Sequence, residues 1–423
     1  MDLKYYSYGF DAKKIPTFLP DYTVEEEFSA MSQLIDWGLK QSKIPETWKV
    51  SEGEGVRVLV IDTGHPVHSD LDANTEIGEN FILDEGHEDF NGHQTHCTGI
   101  ICASNNESGM VGVAPKATCI SAKALNKAGS GSFQGLADAL DYAIETKPDI
   151  VSMSLGAPSP SGIIHDRIKE LWKMNIPVVC AAGNAGNAGV SWPAAYPETI
   201  AVASYNKSGK ISYYSSRGER VDWAAPGERI YSTYLNGQYA TLSGTSMACP
   251  FLVGIVALML AKHRKQEKET GKNDCKTIEE IKEHLLKYTL DRGEIGKDDK
   301  WGHGIIDIHS LILDKNIEDD PTSTSAHPDP IYTTTSTTEE KTTTTVDEKS
   351  TTTEKPRDSG SWVKKNIAWL VCGIAATTII ALGLIMYFSS GEGIESSSWI
   401  SEDGEVDWDK KFEEEKRANR ELH

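Results

Sequence analysis

A chain of 423 residues, 39 % of them hydrophobic, has room for one large domain with a full core and for appendages beside it. Its 63 acidic against 42 basic side chains leave a net charge of −21, which argues against nucleic acid as a partner and reads as a soluble acidic surface. Seven cysteines, at positions 97, 102, 119, 180, 249, 275 and 372, have no framework spacing, so free thiols and a reducing compartment are expected.

The first segment, Met1–Ala30, is charged throughout and lacks the apolar core of a secretory signal. It reads either as a short inhibitory leader or as an arm packed on the surface. Val58-Leu59-Val60-Ile61 is an apolar run that predicts a buried strand, and it delivers Asp62 at its carboxyl end before Thr63-Gly64. Asn91-Gly92-His93 follows in a second glycine turn. Gly135–Glu145 fits a helix, Val178–Ala182 a second buried strand closed by Gly183-Asn184. Such alternation predicts an α/β domain with a mostly parallel sheet covered by helices on both faces. Sites in sheets of this kind form beyond the carboxyl ends of the strands, where Asp62 and Asn184 fall. Gly244-Thr245-Ser246-Met247-Ala248 then supplies a hydroxyl. A serine becomes a nucleophile when an imidazole takes its proton and a carboxylate holds that imidazole in the right tautomer.

After Asp307 the composition changes. Pro321–Pro356 is dominated by Thr and has almost no apolar residues, so it predicts a disordered stalk, with O-glycosylation open to it in the secretory pathway. Ile367–Phe388 carries no charge and reaches the roughly 20 residues needed to cross a bilayer as a helix, with Trp369 and Tyr387 near its ends. Lys355, Arg357, Lys364 and Lys365 precede the span, and no basic residue follows until Lys410. By the positive-inside rule the catalytic part lies on the cytoplasmic side, although Thr-rich stalks are common on exposed faces. The expected organisation is an extension over 1–30, a catalytic domain over 31–314, the stalk over 315–366, one transmembrane helix over 367–388 and an acidic tail over 389–423. A monomer is expected.

Around these residues, whole words resemble those of the subtilisin-like serine proteases, the subtilase family, from about Gln33 to Asp307. Asn91–Gly99 resembles the start of the family's histidine helix, and Leu242–Pro250 its nucleophile motif, in the family's order Asp, His, Ser. Met110–Pro115, Ser152–Gly156, Val178–Asn184, Asp222–Gly227 and Trp301–Asp307 match smaller landmarks. The resemblance implies a subtilisin-like three-layer fold and an endopeptidase acting on protein or peptide. Asp62, His93 and Ser246 would form the triad, and Asn184 would donate to the oxyanion. Gly129-Ser130-Gly131 and Ser154-Leu155-Gly156 would flank an extended substrate. It also implies structural calcium, held by Gln33, Asp70, Ser104, Asn106, Ser108 and Met110. Asn106 opens an Asn-Glu-Ser sequon, and glycosylation there would exclude the ion. Gln94 and Thr98 stand where the family has Gly and Ala, Cys249 where it has Ser or Ala, and Phe251 where His is common. The rival reading is a membrane-tethered scaffold on an inactive subtilase fold.

Overall fold

The computed structural model describes residues 16–28, 32–316 and 331–332. The Thr-rich stalk, the proposed membrane span and the acidic tail lie outside the described residues, apart from the short strand over 331–332.

In chain order, the strands are β1 (Pro16–Phe18), β2 (Thr23–Phe28), β3 (Arg57–Asp62), β4 (Thr75–Asn80), β5 (Thr118–Lys123), β6 (Ser130–Ser132), β7 (Ile150–Met153), β8 (Val178–Ala181), β9 (Thr199–Tyr205), β10 (Trp223–Pro226), β11 (Ile230–Thr233), β12 (Tyr239–Ser243), β13 (Thr289–Arg292), β14 (Ile305–Ile306) and β15 (Ile331–Tyr332). The helices are α1 (Trp37–Gln41), α2 (His93–Cys102), α3 (Phe133–Thr146), α4 (Gly162–Lys173), α5 (Thr245–Thr270), α6 (Ile278–Lys287) and α7 (Ile308–Leu313). Seven strands form the central sheet in the order β10-β9-β8-β7-β3-β5-β4, and every adjacent pair is parallel.

A parallel sheet needs both faces covered, and β3 shows how the chain does it. Val58 and Val60 join a core with Ile100 and Ile101 of α2 and with the buried length of α5. Leu59 and Ile61, one residue out of phase, join a second core with Leu136 and Leu140 of α3 and Ile164 and Ile168 of α4. The period-2 alternation of the strand thus sends side chains into two apolar layers, which gives the three-layer architecture. Helix α5 is long and apolar enough to cross a bilayer, yet almost all of its apolar stretch is buried inside the protein, which makes it a core helix.

The order of the strands reverses at β3, with β5 on one side and β7 on the other. Beyond such a reversal a crevice opens at the carboxyl ends of the strands. Asp62 closes β3, Ser154-Leu155-Gly156 follow β7, Asn184 follows β8, and His93 begins α2. The described part of the amino-terminal extension is built into the same region. Strand β1 pairs antiparallel with β6, and β2 pairs antiparallel with β12, the strand that leads to Ser246.

Candidate active site

Asp62 and His93 are fully buried and directly joined. Nδ1 of His93 lies 2.8 Å and 2.9 Å from the two carboxylate oxygens of Asp62. With Nδ1–H donating to the carboxylate, Nε2 is the ring's basic nitrogen, and it has no hydrogen-bond partner among the described residues. Ser246 sits in the first turn of α5 after Gly244. Its hydroxyl donates to the Ser154 carbonyl at 3.3 Å, and the Ser154 hydroxyl donates back to the Ser246 carbonyl at 2.9 Å. Cys97 lies behind both partners, its sulfur 3.8 Å from His93 Nδ1 and donating to the Ser246 carbonyl at 3.4 Å. Burial pushes that thiol well above its ordinary range, so it stays protonated and does not compete as a nucleophile.

The turns that carry these groups are tied together by side chains whose part is not evident in sequence. Asp89 accepts from the Thr63 hydroxyl, from Asn91 N and Gly92 N, and from both the amide and hydroxyl of Thr95, all within 2.9 Å. One carboxylate therefore fixes the turn after Asp62 to the turn before His93. Gln94 is fully buried without disrupting the helix. Its side-chain Oε1 accepts from Gly64 N at 2.7 Å, and its main-chain N–H donates to the Thr63 hydroxyl at 3.0 Å. The side chain in place of the family's glycine thus closes the turn that presents Asp62.

Asn184 is oriented by Thr245, whose amide and hydroxyl donate to its Oδ1 at 2.9 and 2.8 Å. That leaves the amide nitrogen to donate, and its acceptor is the carbonyl of Asp21 at 2.6 Å. The cleft is occupied by the chain's own amino-terminal segment. Phe18 exchanges two main-chain hydrogen bonds with Gly156, at 3.0 and 2.8 Å, and Leu19 N donates to the Gly129 carbonyl at 3.0 Å. Strand β1 is paired with Ser130 and Gly131 in the register Phe18 to Ser130 and Thr17 to Gly131. Both segments expected to flank a substrate therefore flank Pro16–Leu19. Continuing the Phe18–Gly156 register by two residues brings Pro20 opposite Ser154. Proline has no N–H to donate, and the Ser154 carbonyl takes its hydrogen bond from Ser246 instead. Tyr22 then covers His93, ring centroids 4.9 Å apart, and donates to Asn91 Oδ1 at 3.0 Å. Burial pushes the Tyr22 phenol up, which keeps that donor protonated.

The comparisons with known proteins agree with this geometry. A model of the subtilase family matches residues 53–304, well over half of the chain. The chain belongs to the subtilase family. An intracellular serine protease of Paenibacillus polymyxa is 39 % identical over 280 residues, covering 64 % of this chain and 84 % of that protein. Thermitase of Thermoactinomyces vulgaris is 37 % identical over 246 residues, covering 57 % of this chain and 87 % of that protein. The minor extracellular protease Epr of Bacillus subtilis is 36 % identical over 281 residues, which span 66 % of this chain and 42 % of Epr. This subtilase is a serine endopeptidase, a hydrolase of peptide bonds in protein or peptide substrates.

The six residues expected around calcium also come together in this subtilase. Asp70 is buried, and its carboxylate accepts from the Asn106 side chain at 3.1 Å, Met110 N at 3.0 Å and the Tyr239 hydroxyl at 2.9 Å. Gln33 donates to the Ser104 carbonyl at 3.1 Å, and Ser108 N donates to Asn106 Oδ1 at 3.0 Å. A Cβ on Gly109, at φ +61°, would stand 2.1 Å from Asp70 Oδ2, so the loop wraps as tightly as a backbone can around that carboxylate. The Asp70 carboxylate, the Gln33 and Asn106 carboxamides and the Ser104 carbonyl bring together oxygen donors of the kind a hard divalent cation takes. The six described cysteines are buried free thiols.

Proposed function

We propose that this subtilase cleaves peptide bonds with Ser246 as nucleophile and His93 as general base and then general acid. Asp62 holds the imidazole tautomer and stabilises its protonated form. The observation that carries the reading is the paired contact of His93 Nδ1 with both oxygens of a fully buried Asp62. For attack, the Ser246 hydroxyl rotates from the Ser154 carbonyl to His93 Nε2, gives up its proton there and adds to the substrate carbonyl. Asn184, locked by Thr245, donates to the developing oxyanion. Loss of one such donor costs on the order of 100-fold or more in turnover. His93 returns the proton to the leaving amine, and a water molecule repeats the sequence on the acyl-enzyme. Ser246→Ala should abolish both fluorophosphonate labelling and peptide cleavage while leaving the melting temperature within a few degrees. Near wild-type cleavage in that variant would refute the assignment, whereas failure of the unmutated protein to label or cleave would favour the scaffold.

The segment Pro16–Tyr22 holds the enzyme idle in this reading. It pairs like a substrate with Gly129–Gly131 and Gly156, takes the Asn184 amide with the Asp21 carbonyl, and leaves Ser246 bonded to Ser154. Gln33, Asp70, Ser104, Asn106, Ser108 and Met110 would hold calcium, which would supply charge neutralisation and stiffness to the loop after α2. From the sequence, the peptidase is tethered through Ile367–Phe388 by the Thr-rich stalk, with the protease on the cytoplasmic side.

A further inference from the structure

Far from the cleft, the carboxyl-terminal half of α5 brings together side chains that peptide hydrolysis does not use. His263 lies on α5, Cys275 in the connection after it, and His284 on α6, and one ligand atom from each lies within 4.8 Å of the other two. Counted along α5, His263 is about 25 Å from Ser246 at 1.5 Å per residue. His263 and Cys275 are 5 % and 4 % exposed, and His284 is half-buried. Two observations separate this cluster from ordinary core packing. Nδ1 of His263 is buried without a hydrogen-bond partner, which is costly for a polar atom. The His284 ring places Nδ1 3.2 Å from the carbonyl of Glu280 in its own helix, so Nδ1 carries the proton and Nε2 keeps a free lone pair. A main-chain carbonyl on the other ring nitrogen is the usual partner of a metal-ligating histidine.

The connection is held in place independently of the cluster. Gly271 ends α5 in the left-handed region, Asn273 bonds Glu267 and caps Cys275 N at 2.9 Å, and a Thr277–Glu280 capping box starts α6. The sulfur is thus presented by a braced turn. Two imidazole nitrogens and one thiolate suit zinc, whose bonds of about 2.0–2.3 Å would hold ligand atoms roughly 3.3–3.8 Å apart in a tetrahedron. Rotamer adjustments of about 1 Å close the difference. Asp274, exposed and adjacent to Cys275, or a water molecule completes the fourth position.

We propose that His263, Cys275 and His284 form a zinc site that ties the end of the nucleophile-bearing helix to α6. On binding, the Cys275 thiol releases its proton to solvent and the thiolate and both imidazoles donate lone pairs to the metal, so one proton leaves per ion.

The test uses the full chain, carrying Ser246→Ala to prevent self-digestion, after chelation and re-addition of metal. One equivalent of zinc should bind, and cobalt in its place should show a thiolate charge-transfer band. At zinc concentrations 100 times its dissociation constant, the folding equilibrium should shift about 100-fold toward the native state, read as a rise in melting temperature. Cys275→Ser should lose the band, and His284→Gln, at a half-buried position, should weaken zinc binding at least tenfold. Zinc should also protect Cys275 of the unmutated sequence from alkylation, followed by peptide mapping, which decides the matter if Cys275→Ser fails to fold. No cobalt–thiolate band, or unchanged alkylation of Cys275 with zinc, would overturn the proposal. So would a band that survives in Cys275→Ser, which would point to Cys97 beside Asp62 and His93.

Discussion

Deleting residues 1–22 should activate the enzyme. The deletion removes β1 and the residues over the cleft but keeps β2 on β12. Outside the β1–β6 ladder, five hydrogen bonds tie this segment to the site: two at Phe18, one at Leu19, one from Asn184 to Asp21 and one from Tyr22 to Asn91. At about 1 kcal/mol net each they set a ceiling near 5 kcal/mol, roughly 5000-fold in accessible enzyme. The expected rise in kcat/KM therefore lies between about 10- and 5000-fold. The assay is hydrolysis of a chromogenic peptide, normalised to active sites titrated with a fluorophosphonate, so that misfolded protein does not count. A synthetic peptide covering residues 16–22 should inhibit the shortened enzyme competitively. Equal kcat/KM per titrated site with and without the segment would refute the reasoning.

Three further outcomes are expected. Chelation should lower the melting temperature, and Asp70→Ala should be less stable and lose that response; identical melting with and without chelator would remove calcium from the account. His96 is fully buried on α2, and Nε2–H donates to the carbonyls of Ile230 and Ala240 at 3.1 Å. Burial pushes its folded-state value down to about 3 from 6.5, so the unfolded chain takes up the proton first. The stability from neutral His96 is complete above pH 6.5 and is lost as pH falls toward 3, about 2 kcal/mol of it by pH 5. Denaturant midpoints from pH 5 to 7 should flatten in His96→Gln, and parallel wild-type and variant curves would contradict this. Full-length protein should stay in the membrane fraction after high-salt washing and be freed by truncation before Lys364, since salt strips proteins held by charge alone. In sealed vesicles with the cytoplasmic face outward, added protease should digest the stalk and spare the acidic tail, and the reverse pattern would invert the orientation.

Asp62, His93, Asn184 and Ser246 were legible because each sits in a short word where an apolar run meets a glycine turn. A strand end, a helix start and a nucleophile turn are local structures, and local sequence specifies them. Asp89 was not legible, because its five hydrogen bonds become visible only when the turns after Asp62 and before His93 are folded side by side. Gln94 stood out as a departure from the family words, but only the packed turn shows that its side-chain carbonyl accepts from Gly64 N. Cys275 lies twelve residues after His263 and nine before His284, a spacing without a metal-binding word; the turn and two helices bring them together.

By itself the sequence determined the fold class, the hydrolase family and the order of the groups proposed to act in it, since strand periodicity, turn glycines and reactive side chains are properties of neighbouring residues. It also set the composition of the Thr-rich segment and of the apolar stretch after it. What filled the cleft was decided by tertiary structure. Pro16–Leu19 engages Gly129 and Gly156 through main-chain N–H and C=O groups that every residue but proline carries. A strand bound by its backbone leaves almost no trace in the identity of its side chains, so its partner is known only once the sheet is assembled.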